Sequence, residues 1–239
     1  MNTSFPCNFA TTRWSLVNNA GNAQSPRHEI ALNELCRRYW FPLYAYARHG
    51  GTAHADAEDL VQGFFVSHFL QTNFLQDLNS EKGPFRAFLL ACFNHHSLNE
   101  WKRAGRQKRG GGADHLPIDW ANADEKYQSQ LMVADTPERM FDRAWVVTLL
   151  EHVLERLCQQ MQAQGKGELF EVLKPGLTVH GDEFNYRTAA YLLKKSEDAT
   201  RKAAERLRER YRELFRQEIL KYCDPAEVEQ EIYSLLNAS

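Results

Sequence analysis

Long apolar runs are missing from this sequence. Stretches such as Ala144–Leu150 fall far short of the roughly 20 residues that span a bilayer, so no transmembrane helix and no membrane partner are expected. Met1–Ala20 has no basic flank followed by an apolar block, and no signal peptide is expected. Cysteine is sparse: Cys7, Cys36, Cys92, Cys158 and Cys223 are odd in number, scattered and never in a CxxC pair. That pattern argues against a disulfide framework or a zinc knuckle and fits a reducing compartment, so a cytoplasmic location is expected. HExxH, a Gly-rich phosphate loop and GxSxG are all absent. His95 and His96 are adjacent, and neighbours on a helix point about 100° apart, which suits no shared metal. The expectation is a protein without a catalytic centre, cofactor or metal.

What is present describes a folded protein. The 239 residues are 43% hydrophobic, 25% charged and 12% aromatic, which excludes a disordered or fibrous chain and leaves room for one large domain or two small ones. The net charge of -2 hides a strong segregation. Trp101–Gly112 contains Lys102, Arg103, Arg106, Lys108 and Arg109 and no acid, and Tyr186–Lys221 carries eleven basic against six acidic residues. The acids gather in Ala113–Asp135, with five against one lysine, and in Tyr222–Ser239, with four and no base. Clustered Lys and Arg suit a polyanion because neutralising phosphates releases counterions. A solvated helix face has the same composition, and charge alone leaves both open.

Period-2 alternation is nearly absent, whereas helical spacing recurs throughout. Glu29–Arg48 places Ile30, Leu32, Leu35, Tyr39, Leu43, Tyr46 and Ala47 on one stripe, ended by Gly50-Gly51. A second helix starts near Ala55 with Asp56, Glu58 and Asp59 in its first turn, where carboxylates suit the helix dipole. A third starts at Pro84 and carries Phe85, Phe88, Leu89, Cys92, Phe93, Leu98 and Trp101 towards Gly110-Gly111-Gly112. Residues 105–135 are polar and rich in Gly, Asp and Asn, and read as a linker. Thr136-Pro137 starts a long helix that stops before Gly165; a short element, Leu169–Leu173, ends at Pro175-Gly176. Helices over Phe184–Leu193 and Asp198–Lys221 follow, joined by a tight turn, and a last one starts at Asp224-Pro225.

The expected architecture is all-α: two small helical domains (26–104 and 136–222) joined by the polar linker, with an N-terminal extension (1–25) and an acidic C-terminal helix (223–239). In the second domain Tyr186, Ala189, Ala190 and Leu193 can pack on Ala199, Ala203, Leu207 and Tyr211, small residues that allow the close crossing of a helix-turn-helix. Ser196 would cap the second helix. Glu197, Asp198, Thr200, Arg201 and Lys202 would then face a DNA groove, with Arg206, Arg208, Arg210 and Arg212 near phosphates. On spacing alone, a plain helical hairpin on a basic surface looks the same.

The run from Tyr186 to Tyr211 resembles the promoter-binding helix-turn-helix of extracytoplasmic-function RNA polymerase sigma factors. Ala55–Phe65 is similar to the helix with which those factors grip the polymerase clamp. Pro84–Leu90 through Asn99–Arg103 is similar to the helix that reads and opens the minus-ten element. Thr11–Val17, Leu35–Tyr44 and Gln107–Gly112 look like a large-genome bacterial subgroup of the family. The resemblance implies a factor that binds core RNA polymerase through Asp56, Glu58, Asp59 and Gln62. It places promoter DNA on Arg86, Asn99, Trp101, Lys102, Arg103, Arg106, Lys108 and Arg109, and on Ser196, Glu197, Thr200, Arg201, Lys202, Glu205, Arg206 and Arg208. It admits an anti-sigma factor or other regulator as a further partner. Interleaved rings and cations on the third helix suit single-stranded DNA. The chain departs from the family pattern with His95-His96, where Asn and an apolar residue are usual, and with Lys194 and Asp198, where Gly is usual. Glu205 stands at a position usually basic or polar, and its carboxylate repels phosphate, although Glu can accept from cytosine N4. A sigma-like regulator or adaptor that binds polymerase or DNA without initiating transcription is the second reading.

Overall fold

The computed structural model describes residues 13–70, 74–76, 78, 85–104, 118, 120, 122–130, 136–177, 184–222, 228–229 and 232. Its regular elements are all helical among these residues: α1 (Trp14–Gly21), α2 (His28–His49), α3 (His54–Phe65), α4 (Phe85–Ala104), α5 (Ala123–Gln128), α6 (Pro137–Ala163), α7 (Gly167–Leu173), α8 (Tyr186–Leu192) and α9 (Glu197–Ile219). A π turn, Val66–Leu70, extends α3, and a 3-10 turn, Lys174–Leu177, follows α7. The chain forms two compact units, one of Met1–Thr148 with Lys221–Ser239 and one of Leu149–Leu220, so the division falls within α6.

In the first unit α2 is the central element. Leu32, Leu35, Tyr39, Leu43 and Ala47 are buried as their spacing predicts, but so are Phe41, Tyr44 and Ala45, because α1, α3 and α5 all pack against this helix. Ile30, expected on the stripe, is exposed; it lies in the first turn of α2. The helix ends as Gly50-Gly51 requires: the Thr52 N–H reaches the Ala47 carbonyl at 3.0 Å, the Gly51 N–H reaches Arg48 at 3.0 Å, and Gly51 takes φ +93°. Phe64, Phe65, Phe85, Leu89 and Phe93 complete an aromatic-rich core. α1 lies in the segment expected to be an extension, yet it buries Val17 and Ala20. Ile232 is half-buried, Val228 buried and Glu229 exposed; the rest of the expected C-terminal helix lies outside the described residues, as do Pro84 and Gly110-Gly111-Gly112.

α5 lies in the segment expected to be a linker. Its Asp124 accepts from Arg48 Nη2 at 2.6 Å and Nε at 3.1 Å, Tyr127 is buried, and Lys126 Nζ sits 4.0 Å from the centroid of the Phe41 ring. Partial desolvation opposes ionisation of Asp124, and Arg48 outweighs it, holding the carboxyl below its ordinary range. Burial pushes the neighbouring Tyr44 hydroxyl up to about 12.

In the second unit α6, α7, α8 and α9 enclose a smaller core that includes Leu157, Phe170, Leu173, Leu207 and Leu214. The α6 start, which belongs to the first unit, is as expected, with the Arg139 N–H on Thr136 Oγ1 at 3.2 Å. Its end is closed by Gly165 at φ +68°, the Lys166 N–H bonding Met161 O at 2.8 Å. α8 ends in the same motif, with the Lys195 N–H on Ala190 O at 3.0 Å and the Lys194 N–H on Tyr191 O at 3.2 Å. Here the left-handed position, φ +52°, is Lys194. A β-carbon in that region costs roughly 1 kcal/mol, which a glycine avoids.

The packing stripe of α9 keeps the expected Leu207 but is shifted by one residue in its first two turns. Thr200, Ala204 and Leu207 are buried, while Ala199 is exposed and Ala203 half-buried. Thr200 can enter the interior because its hydroxyl donates to Ser196 O at 3.0 Å. Glu218, fully buried on the same helix, accepts from Arg156 Nη1 at 2.7 Å.

Candidate nucleic-acid interface

Two candidate surfaces follow from these elements, one in each unit. In the first, a groove of about 1360 Å³ has Asp56, Asp59 and Leu60 of α3 in its lining together with Asn99, Trp101, Lys102 and Arg103 of α4. Asp56 and Asp59 are three apart and share a helix face, so both carboxylates are exposed while Ala57, Val61 and Phe64 face inward. Glu58 is half-buried, with Oε1 3.5 Å from His54 Nε2. Gln62, expected on the acidic face, is 8% exposed and belongs to the buried side of α3.

The last two turns of α4 project the expected aromatic and cations. Trp101 is 79% exposed, a large ring left in water at the end of a helix, and Asn99, Lys102 and Arg103 are exposed beside it. Arg103 Nη1 meets Glu100 at 2.8 Å in an exposed pair, which is weak and open to exchange with a phosphate. Arg106, Lys108 and Arg109 lie outside the described residues. Arg86 is a correction to the DNA-binding set. It is 9% exposed, its guanidinium 3.5 Å from Asp142 and 5.0 Å from the centroid of the Trp145 ring, because the first turn of α4 is a core turn.

The same groove is lined by His68 of the π turn and His96 of α4, whose ring centroids are 5.2 Å apart. Sequence reasoning treated His96 as a departure in a helix and missed this pairing, which only the packing of the π turn on α4 creates. His68 accepts from or donates to Ser67 Oγ at 2.8 Å, whereas His96 Nε2 is buried without a hydrogen-bond partner. Burial, then the neighbouring His68, pushes His96 down to about 4, and burial lowers His68 as well. A folded-state value below the ordinary 6.5 means that the unfolded chain takes up the proton first. The contribution of neutral His96 is therefore complete above about pH 6.5 and is lost as pH falls towards 4. After allowance for its partial exposure, about 1–2 kcal/mol of stability should disappear between pH 7 and pH 4.5. Urea denaturation across that range checks this, and His96→Leu should flatten the slope; an equally steep slope in the variant would assign the loss to other groups.

In the second unit Ser196 caps α9 as expected, accepting from the Ala199 N–H at 3.3 Å. Glu197, Asp198, Arg201, Lys202, Glu205 and Arg206 are exposed along its leading turns. Arg201 pairs with Glu197 at 2.8 Å and lies 4.4 Å from the centroid of the Tyr186 ring, so the exposed guanidinium rests against the start of α8. Two residues of the expected set face elsewhere. Thr200 is buried as described, and Arg208 is turned inward, donating from Nε to Gly176 O at 3.0 Å and from Nη2 to Tyr186 Oη at 2.6 Å. Arg208 therefore fastens α9 to α8 and to the 3-10 turn. Sequence reasoning missed Tyr191, which is 84% exposed at the end of α8 beside the exposed Lys194 and Lys195. Arg210 donates to Gln160 at 3.0 Å, and Arg212 is exposed.

Among the described residues, no group of three or more His, Cys, Asp or Glu side chains is disposed to hold a metal ion, and no helix is long and apolar enough to cross a membrane. Comparison with protein-family models, with curated proteins and with solved structures gives no significant match to this chain.

Proposed function

We propose that this protein is a sigma factor that binds core RNA polymerase and directs it to promoters. In this reading the first unit meets polymerase through Asp56, Glu58 and Asp59 and meets melted promoter DNA through Trp101, Lys102 and Arg103. The α8 and α9 pair acts as a helix-turn-helix on the upstream element, and the two units correspond to two functional domains. The observation that carries the reading is the end of α4, where a large ring and two cations stand exposed together in a groove faced by two carboxylates. Bases stack on rings while cations follow the phosphates, and an acidic wall beside them suits a basic protein partner.

Changing Arg201 and Lys202 to alanine should weaken promoter-duplex binding about tenfold and reduce the salt dependence by about two phosphate contacts, with polymerase affinity unchanged. Filter binding across a salt series measures this. Unaltered DNA affinity and salt slope would remove α9 from the interface.

The adaptor reading is favoured by Asp198 and Glu205, exposed carboxylates on the leading turns of α9 that repel phosphate. It keeps polymerase binding and gives up promoter-directed initiation.

A further inference from the structure

We propose that the phosphate attraction of the α8 and α9 pair comes mainly from α8 and the turn, through Arg187, Tyr191, Lys194 and Lys195, and that duplex DNA lies across this face. The inference rests on the reading of α8 and α9 as a DNA-binding pair and changes which part of the pair carries the affinity.

A helix that holds DNA by charge presents cations on the side away from its core, and α9 does not. Thr200, Ala204 and Leu207 are buried. At about 100° per residue, the line opposite them is Asp198, Lys202, Glu205 and Glu209. All four are exposed, three carboxylates against one ammonium. Of the other cations in these turns, Arg201 is paired with Glu197 at 2.8 Å and Arg208 is turned inward onto Gly176 O and Tyr186 Oη, which leaves Arg206 on a flank. Carboxylates repel phosphates, so α9 needs a neighbouring surface to supply the attraction.

α8 and the turn are that surface. From Asn185 to Ser196 the chain has three cations and no acid. Tyr186, Ala189 and Ala190 are buried, which leaves Arg187, Thr188 and Tyr191 exposed on the other side of α8. Arg187 and Tyr191 are four residues apart and therefore neighbours on the helix face. The turn adds Lys194 and Lys195, both exposed. Each of these five side chains can donate a hydrogen bond and none carries negative charge, which is the chemistry of groups that contact phosphate oxygens. Lys194 adds a second sign. A helix end favours a cation because its dipole is negative there, but any place in the last turn satisfies that. Lys194 instead takes the one left-handed position held by a residue other than glycine among the described residues, φ +52°, where glycine is the cheaper choice. Strain of this kind collects where a side chain serves contacts outside the fold.

Filter binding of the full chain to a random-sequence duplex across a salt series tests this, because phosphate contacts set the slope of affinity against salt. Replacing Arg187, Lys194 and Lys195 with alanine should lower the slope by about three phosphate contacts and the affinity at about 0.1 M salt at least thirtyfold, a larger loss than the Arg201 and Lys202 change gives. Tyr191→Phe should weaken binding and leave the slope alone, since a neutral donor releases no counterion. Lys194→Gly separates binding from folding, because it removes the cation and the strain together. The duplex should then be held several-fold less tightly while the midpoint of urea denaturation stays level or rises. An unchanged slope in the triple variant overturns the proposal, and so does a loss of binding in Lys194→Gly that is matched by a fall in the midpoint. Poly-glutamate that displaces the labelled duplex as well as unlabelled duplex does would assign the face to an acidic protein and overturn it too. A chain that retains no duplex even at low salt would count against the reading of α8 and α9 as a DNA-binding pair. A bound duplex with an unchanged slope in the triple variant would count against this inference alone.

Discussion

Replacing Asp56 and Asp59 together with arginine is expected to weaken binding to core RNA polymerase at least a hundredfold, about 3 kcal/mol. Both carboxylates are exposed on one face of α3, so no buried contact is lost and the helix should still form. The cost to the fold is confined to the dipole term of Asp56 in the first turn, a few tenths of a kcal/mol. At a basic partner surface the exchange removes two attractions and adds two repulsions, and like charges brought together cost several kcal/mol. The effect should shrink with added salt, since exposed charges are screened over about 10 Å at 0.1 M. Titration of labelled protein with core polymerase measures it, and an affinity within threefold of the unaltered chain would take the acidic face of α3 out of the interface. Glu58 is left in place in this variant because its pairing with His54 would add a second effect.

Arg156→Met is expected to destabilise the second unit by about 3 kcal/mol. The Glu218 carboxylate is fully buried and is paired with Arg156 Nη1 at 2.7 Å, with His152 Nε2 at 4.0 Å. Methionine retains much of the apolar stem, so the loss reports the removed ion pair more than the packing. Against a typical total of about 5–15 kcal/mol this is a large fraction. The double change Arg156→Met with Glu218→Leu should recover most of the loss, because an apolar pair of similar size removes the desolvation cost along with the attraction. Urea denaturation of the single and double variants separates the two cases. A loss below 1 kcal/mol for Arg156→Met would mean that Glu218 is satisfied without it.

The features legible in the sequence were those fixed within one or two helical turns. Thr136 and Ser196 cap because their hydroxyls reach amides three residues on. Gly51 and Gly165 end helices because they accept a left-handed backbone. The helical class followed from the same short-range periodicity. What escaped was settled by residues far apart in the chain. α5 has no apolar stripe to announce it, and Asp124 is positioned by Arg48, 76 residues earlier. Arg86 and Arg208 read as phosphate contacts by type, yet Asp142 and Trp145 claim one, and Gly176 and Tyr186 the other. The shift at the first two positions of the α9 stripe escaped because hydropathy ranks Ala199 above Thr200, and the Thr200 hydroxyl is satisfied by its own helix. Trp101, Lys102 and Lys202 are exposed as the helical spacing expects, because residues near helix ends have few competing partners.

Run-off transcription on fragmented genomic DNA from the source organism, with its core polymerase and with or without this protein, tests the central claim most directly. The account predicts discrete new transcripts that appear only with the protein, share a promoter element upstream of their start sites and vanish when Trp101 and Lys102 are both replaced by alanine. No new transcript, in a tube where the protein is shown to bind core polymerase, would contradict a sigma factor and leave the adaptor.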